Sequence, residues 1–233
     1  MAEIIVALDF PAADRALDLV NDLGEAGTFY KVGLELYTRA GPSVVEELRD
    51  RGKSVFLDLK LHDIPNTVAG GVRAASQLGV DLLTVHTAGG GPMLDAAREV
   101  AGEMRLLGVT VLTSIAPTDL EATWGRKIPS MPEEVGRLAD LAARHQIHGV
   151  VVSPLEAALI RSRVEPEFLI VTPGIRPAGV GRDDQQRVAT PSAAVAAGAD
   201  YLVVGRAITG ANDPEAALHS ILAEVDLVKS DDG

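Results

Sequence analysis

Ser54-Val-Phe-Leu-Asp-Leu-Lys-Leu-His-Asp-Ile-Pro-Asn66 carries apolar residues at period two (Val55, Leu57, Leu59, Leu61), with Asp58 and Lys60 on the opposite parity. That spacing predicts a β-strand, whose side chains alternate between two faces, so Asp58 and Lys60 share one face. Asp63 follows just beyond the strand. Two carboxylates and an ammonium at the end of an apolar run are costly to desolvate unless they pair. An exposed edge strand with alternating charge would carry the same pattern, so the decision falls to the flanking sequence.

On both sides, short β-like runs alternate with longer helical ones. The strand candidates are Glu3–Leu8, Thr28–Val32, Lys53–Leu59, Leu82–His86, Leu106–Leu112, Gly149–Val152, Phe168–Val171 and Tyr201–Val204. Helical patterns fill the intervals: Ala13–Leu23, Pro42–Arg51, Thr67–Leu78, Met93–Glu103, Pro132–His145, Leu155–Arg161, Pro191–Ala197 and Pro214–Leu227. Pro42, Pro132, Pro191 and Pro214 suit first turns, and Gly52, Gly79 and Gly198 suit helix ends. Strands apolar on both faces, each followed by a helix, imply a parallel sheet covered by helices. Eight such units favour an α/β fold of the (β/α)8 TIM barrel type, a single domain over residues 1–233. No G-x-G-x-x-G follows the first strand, which weighs against an open dinucleotide-binding sheet.

The totals restrict the chemistry. No cysteine is present, which excludes disulfides, thiolate metal sites and thiol nucleophiles and suits a reducing cytoplasm. A formal net charge of −12 argues against nucleic acid as a partner, because a phosphate backbone demands a basic face. No apolar run approaches a membrane span, and the N-terminus lacks the basic start of a signal peptide. The expected location is therefore cytoplasmic, with no membrane partner.

In a barrel of this kind the chemistry gathers at the C-terminal ends of the strands. The first candidate strand runs into Asp9, the second carries Lys31, the third Asp58 and Lys60, the fourth His86, and the fifth leads to Thr113-Ser114. The seventh runs into Thr172-Pro-Gly-Ile-Arg176 and the eighth into Val203-Val-Gly-Arg206. Each residue has a plainer reading: Asp9 as a helix cap, Lys31 as a snorkelling core lysine, His86 as a hydrogen-bonded structural histidine. Yet only five lysines exist in the chain, and two of them lie at strand ends among aspartates. An edge strand accounts for Asp58 and Lys60 but not for Asp9 and Lys31. Loops after strands seven and eight often bind phosphate in barrels. Gly174 and Gly205 would permit close backbone approach there, with Arg176 and Arg206 as fork-shaped donors. The polar, glycine-containing stretch Arg176–Arg187 is suited to close over a ligand. A metal is not expected, because the histidines are scattered and the carboxylates have lysines beside them.

Taken together, these segments resemble the orotidine 5′-monophosphate decarboxylase family over nearly the whole chain. The resemblance is carried by Ala7-Leu-Asp9, Lys31-Val-Gly33 and Phe56-Leu-Asp-Leu-Lys-Leu-His-Asp-Ile-Pro-Asn-Thr67. It continues through Thr172-Pro-Gly-Ile-Arg176, Asp184-Gln185, Arg187-Val-Ala-Thr-Pro191 and Val203-Val-Gly-Arg206. It implies conversion of orotidine 5′-monophosphate to UMP in pyrimidine biosynthesis, with no cofactor, by a homodimer whose two sites lie at the subunit interface. By the same resemblance, Lys31, Asp58, Lys60 and Asp63 form a charged network, Lys60 is the proton donor, and Asp63 comes from the partner together with Ile64 and Thr67. Asp9 and Lys31 would hold the ribose hydroxyls and Thr113 would lie near the pyrimidine. Arg176, Gln185, Gly205 and Arg206 would hold the phosphate. Two rivals remain at this stage. One is a metal-dependent sugar-phosphate decarboxylase of the same superfamily, disfavoured because Lys31 stands where a metal-associated glutamate would be expected. The other is a non-catalytic phosphate-ligand binding barrel, which would not need the Asp58/Lys60/Asp63 set.

Overall fold

A computed structural model describes residues 2–177 and 188–230. Its eight strands are parallel and close in chain order into a barrel, with the first pairing to the last. They are β1 (Glu3–Ala7), β2 (Phe29–Gly33), β3 (Ser54–Leu61), β4 (Leu82–His86), β5 (Arg105–Val109), β6 (Gly149–Val151), β7 (Leu169–Thr172) and β8 (Tyr201–Val204). The edge-strand alternative fails: β3 is hydrogen-bonded to β2 on one side and β4 on the other.

Helices cover the outside. In order they are α1 (Ala13–Leu23), α2 (Leu34–Ala40), α3 (Ser43–Asp50), α4 (Pro65–Gln77), α5 (Gly91–Glu99) and α6 (Pro117–Trp124). The remainder are α7 (Met131–Arg144), α8 (Pro154–Arg161), α9 (Pro191–Ala196), α10 (Arg206–Thr209) and α11 (Pro214–Ser230). Hydroxyl caps open three of them: Ser130, Ser153 and Thr190 each accept a backbone N–H from the first turn that follows. Prolines in the first turn, including Pro65, Pro117 and Pro154, cost no hydrogen bond there.

The period-two pattern sorts the strands into two cores. Ile5, Ala7, Phe29, Phe56, Leu82, Leu107, Val171, Tyr201 and Val203 fill the barrel interior. The alternate residues, such as Val6, Val32, Val55, Leu57, Leu83 and Val85, pack with the helices in the outer core. Each fully buried side chain of this size contributes about 1.5–3 kcal/mol, so a one-residue slip in any strand would exchange two buried faces at once. The interior parity continues upward: Asp9 follows Ala7, Lys31 follows Phe29, Asp58 follows Phe56 and Thr84 follows Leu82. A layer of polar residues therefore lies directly over an apolar plug.

Several elements differ from the spacing-based expectation. β5 stops at Val109 rather than Leu112, because its neighbour β6 ends at Val151, opposite Val109, and nothing remains to pair with. Thr113 consequently sits on the following loop. β3 runs on to Leu61 through an irregular register with β4. α2, α6 and α10 occupy stretches where no helix was expected; α6 is bounded by Pro117 and by Gly125 in a left-handed conformation.

Candidate active site

The third strand departs from regular geometry where its charges begin. Leu57 pairs with Leu83 and Leu61 with Val85, so Asp58, Leu59 and Lys60 stand opposite the single residue Thr84. Lys60 takes a φ of 52°, in the left-handed region that a residue with a Cβ enters at a cost of about 1–2 kcal/mol. Its N–H donates to Thr84 Oγ1 at 2.8 Å, and that hydroxyl donates to Asp58 Oδ1 at 3.1 Å. From this bulge the ammonium of Lys60 returns to Asp58 Oδ2 at 2.8 Å.

Asp58 is shared. Lys31 Nζ lies 3.8 Å from Asp58 Oδ2 and 2.9 Å from Asp9 Oδ1. The order Lys60–Asp58–Lys31–Asp9 alternates in sign, with two cations matched to two carboxylates. That balance makes burial tolerable: the Lys31 and Asp58 side chains are only 11% and 13% exposed, and an unpaired charge so placed would cost several kcal/mol. Gly33 keeps the arrangement open, because a Cβ there would stand 3.0 Å from Lys31 Nζ.

This chain of charges forms one wall of a cavity of about 480 Å³ at the C-terminal mouth of the barrel, a volume suited to a small ligand. Ala7, Phe56 and Val203 lie toward the barrel interior, with Val109, Val111 and Val151 adding an apolar side. Leu112, Thr113, Pro173, Gly174, Arg176, Gly205, Arg206 and Thr209 complete the lining. Arg176 is buried; its Nη1 donates to Ile175 O at 2.9 Å, while its Nε has no partner among the described residues. A second cavity of about 250 Å³, bounded by Gly33, Leu34 and Glu35, lies against Asp9, Lys31, Asp58 and Lys60 as well. The network is thus a partition between two spaces.

The sequence-based candidates divide accordingly. Asp9, Lys31, Asp58, Lys60, Thr113, Arg176, Gly205 and Arg206 converge on the larger cavity. Asp63, Ile64 and Thr67 do not: they are exposed at the start of α4, where Asp63 Oδ1 accepts its own neighbour's N–H, from Ile64, at 2.6 Å. Gln185, and most of the Arg176–Arg187 stretch, lie outside the described residues. His86 is not part of the cavity lining; its ring lies 5.3 Å from that of His62, and burial, then His62 and Lys60, push it below the usual histidine range. The spacing missed Thr84 and the apolar wall of Val109, Val111 and Val151, because hydroxyl and β-branched residues are ordinary strand formers. Among the described residues, no three His, Asp or Glu side chains are grouped as a metal site, and no helix is long and apolar enough to cross a membrane.

Residues 2–221 match the family model described as "Orotidine 5′-phosphate decarboxylase / HUMPS family". The chain is 54% identical over 226 residues to the orotidine 5′-phosphate decarboxylase of Halorhodospira halophila, covering 95% of each chain. It is 49% identical over 236 residues to that of Moorella thermoacetica, covering 97% of this chain and 93% of the relative. Among solved structures, the orotidine 5′-phosphate decarboxylase of Lactobacillus acidophilus superposes with a TM-score of 0.87 at 39% identity, over 97% of this chain and all of that one. With the closed barrel and this extent of identity, the chain belongs to the orotidine 5′-phosphate decarboxylase / HUMPS family.

Proposed function

We propose that this protein decarboxylates orotidine 5′-monophosphate to UMP without a cofactor, Lys60 delivering the proton. The observation that carries the proposal is the alternating Lys60–Asp58–Lys31–Asp9 chain on one wall of a cavity whose lining also includes Arg176 and Arg206. Cleavage of the bond between C6 and its carboxylate releases CO2 and leaves an electron pair in the plane of the pyrimidine, poorly delocalised into the ring. Catalysis then depends on a cation aimed at that pair and on a proton to quench it. The Lys60 ammonium supplies both; it gives its proton to C6 and regains one from water.

Asp58 holds the Lys60 ammonium in place through their 2.8 Å contact. Lys31 and Asp9 take the ribose hydroxyls, and Thr113 faces the pyrimidine. The buried Nε of Arg176, with no protein partner among the described residues, is a donor suited to a phosphate oxygen, which Arg206, Gly205 and Gln185 also contact. Asp63, Ile64 and Thr67 serve the other subunit of a homodimer. Three features support that reading. These residues are exposed and absent from the lining of their own cavity, Ile64 is an apolar side chain 67% exposed, and Lys60 also lines the smaller cavity beside the network. Lys31 disfavours the metal-dependent sugar-phosphate branch, because its ammonium beside Asp58 would repel a divalent ion.

The test is to add orotidine 5′-monophosphate to exhaustively chelated protein and follow loss of its ultraviolet absorbance. Turnover is expected. No loss of absorbance with or without magnesium would overturn the proposal, and turnover only after magnesium is restored would assign the chain to the metal-dependent branch.

A further inference from the structure

We infer that Thr84 is a positioning residue for the Lys60–Asp58 pair, an assignment that rests on the decarboxylase reading above. Thr84 is not part of the cavity lining and is fully buried in β4, so it does not act on a ligand directly. It is the one β4 residue between the regular pairs Leu57–Leu83 and Leu61–Val85, where β3 inserts three residues. Two surplus residues break the backbone ladder there, and the N–H of Lys60 would have no acceptor on β4 without a side chain to replace the carbonyl.

The Thr84 hydroxyl fills that role and then passes its own proton toward Asp58. It accepts the Lys60 N–H at 2.8 Å and donates to Asp58 Oδ1 at 3.1 Å, leaving Oδ2 of the same carboxylate to hold Lys60 Nζ at 2.8 Å. The backbone of Lys60, the carboxylate of Asp58 and the ammonium of Lys60 therefore form a loop closed by one hydroxyl. Loss of the hydroxyl frees Lys60 from its left-handed backbone conformation (φ 52°). It also releases the rotation of the Asp58 carboxylate, so the ammonium is no longer fixed relative to the reacting carbon. The methyl group of Thr84 contributes packing alone.

The pair Thr84→Ala and Thr84→Ser separates hydroxyl from packing, since both remove the methyl. With orotidine 5′-monophosphate as substrate, the Ala variant is expected to lose about ten- to a hundredfold in kcat with KM changed by less than about threefold, the size of losing hydrogen bonds to charged groups. The Ser variant is expected to stay within about threefold of the wild-type kcat. Equal kcat in the two variants, or a loss confined to KM, would overturn the inference while wild-type turnover leaves the decarboxylase reading intact. A wild-type chain that fails to release CO2 from orotidine 5′-monophosphate would overturn both.

Discussion

At the scale of single residues, the site depends on a lysine whose backbone and side chain are both constrained. Lys60 has its ammonium 2.8 Å from Asp58 and its N–H tied to the next strand. A free lysine would sample many rotamers, at an ordering cost of up to about 2 kcal/mol, and here that cost is met on folding rather than on binding. Lys60→Ala is expected to remove at least ~4 kcal/mol of transition-state stabilisation, about a thousandfold in kcat; near-normal turnover in steady-state assays would refute the assignment. Arg206, which also lines the cavity, is proposed to bind the phosphate and so to act remotely from the reacting carbon. If phosphate binding energy is realised in the transition state, Arg206→Ala lowers kcat/KM for orotidine 5′-monophosphate far more than for the unphosphorylated nucleoside. Equal losses on the two substrates would contradict that role.

At the scale of elements, the segment between β5 and α7, which includes α6, matters most, because its first part carries Val111, Leu112 and Thr113 into the cavity wall. It is anchored by Glu134, buried on α7, which accepts from Arg126 Nη2 at 2.7 Å and from Arg137. Burial alone would raise the Glu134 carboxyl, but the two guanidinium groups outweigh it and hold the group below its ordinary value of 4.5. The folded form thus binds the proton less readily than the unfolded chain. Its stabilisation is complete above 4.5 and is lost as pH falls through the depressed value. Glu134→Gln should cost about 1–3 kcal/mol near neutrality, and thermal melts should show the gap to wild type closing in acid; a gap that does not change with pH would exclude this anchor. The same elements show what was legible beforehand. Short apolar runs between helical patterns located all eight strands, since burial on both faces leaves a dense apolar record. The sequence pattern misplaced the end of β5, which depends on how far β6 extends, and it missed α2, α6 and α10. Asp9, Lys31, Asp58 and Lys60 were legible as a set because charge at a strand end is conspicuous. Thr84 was not, because its role arises from a register shift between two strands and not from its own neighbours in sequence.

At the scale of the molecule, barrel closure gathers residues as far apart in sequence as Asp9 and Arg206 around one cavity, yet leaves Asp63, Ile64 and Thr67 facing out. A two-fold dimer would use one patch twice, each subunit presenting Asp63 to the other's Lys60. That arrangement makes a quantitative demand. Lys60→Ala destroys the site on its own barrel but leaves an intact Asp63 to give away; Asp63→Ala does the reverse. In a mixed dimer one site receives both lesions and the other receives neither. Random reassociation of equal amounts makes half the dimers mixed, each with one sound site, so activity should rise to about a quarter of wild type. If both residues served the same barrel, every site in the mixture would keep one lesion and activity would not rise on mixing. The measurement is to dissociate the two inactive variants together, allow them to reassociate, and assay against each variant treated alone; recovery must also depend on dissociation, since dimers that never exchange cannot complement.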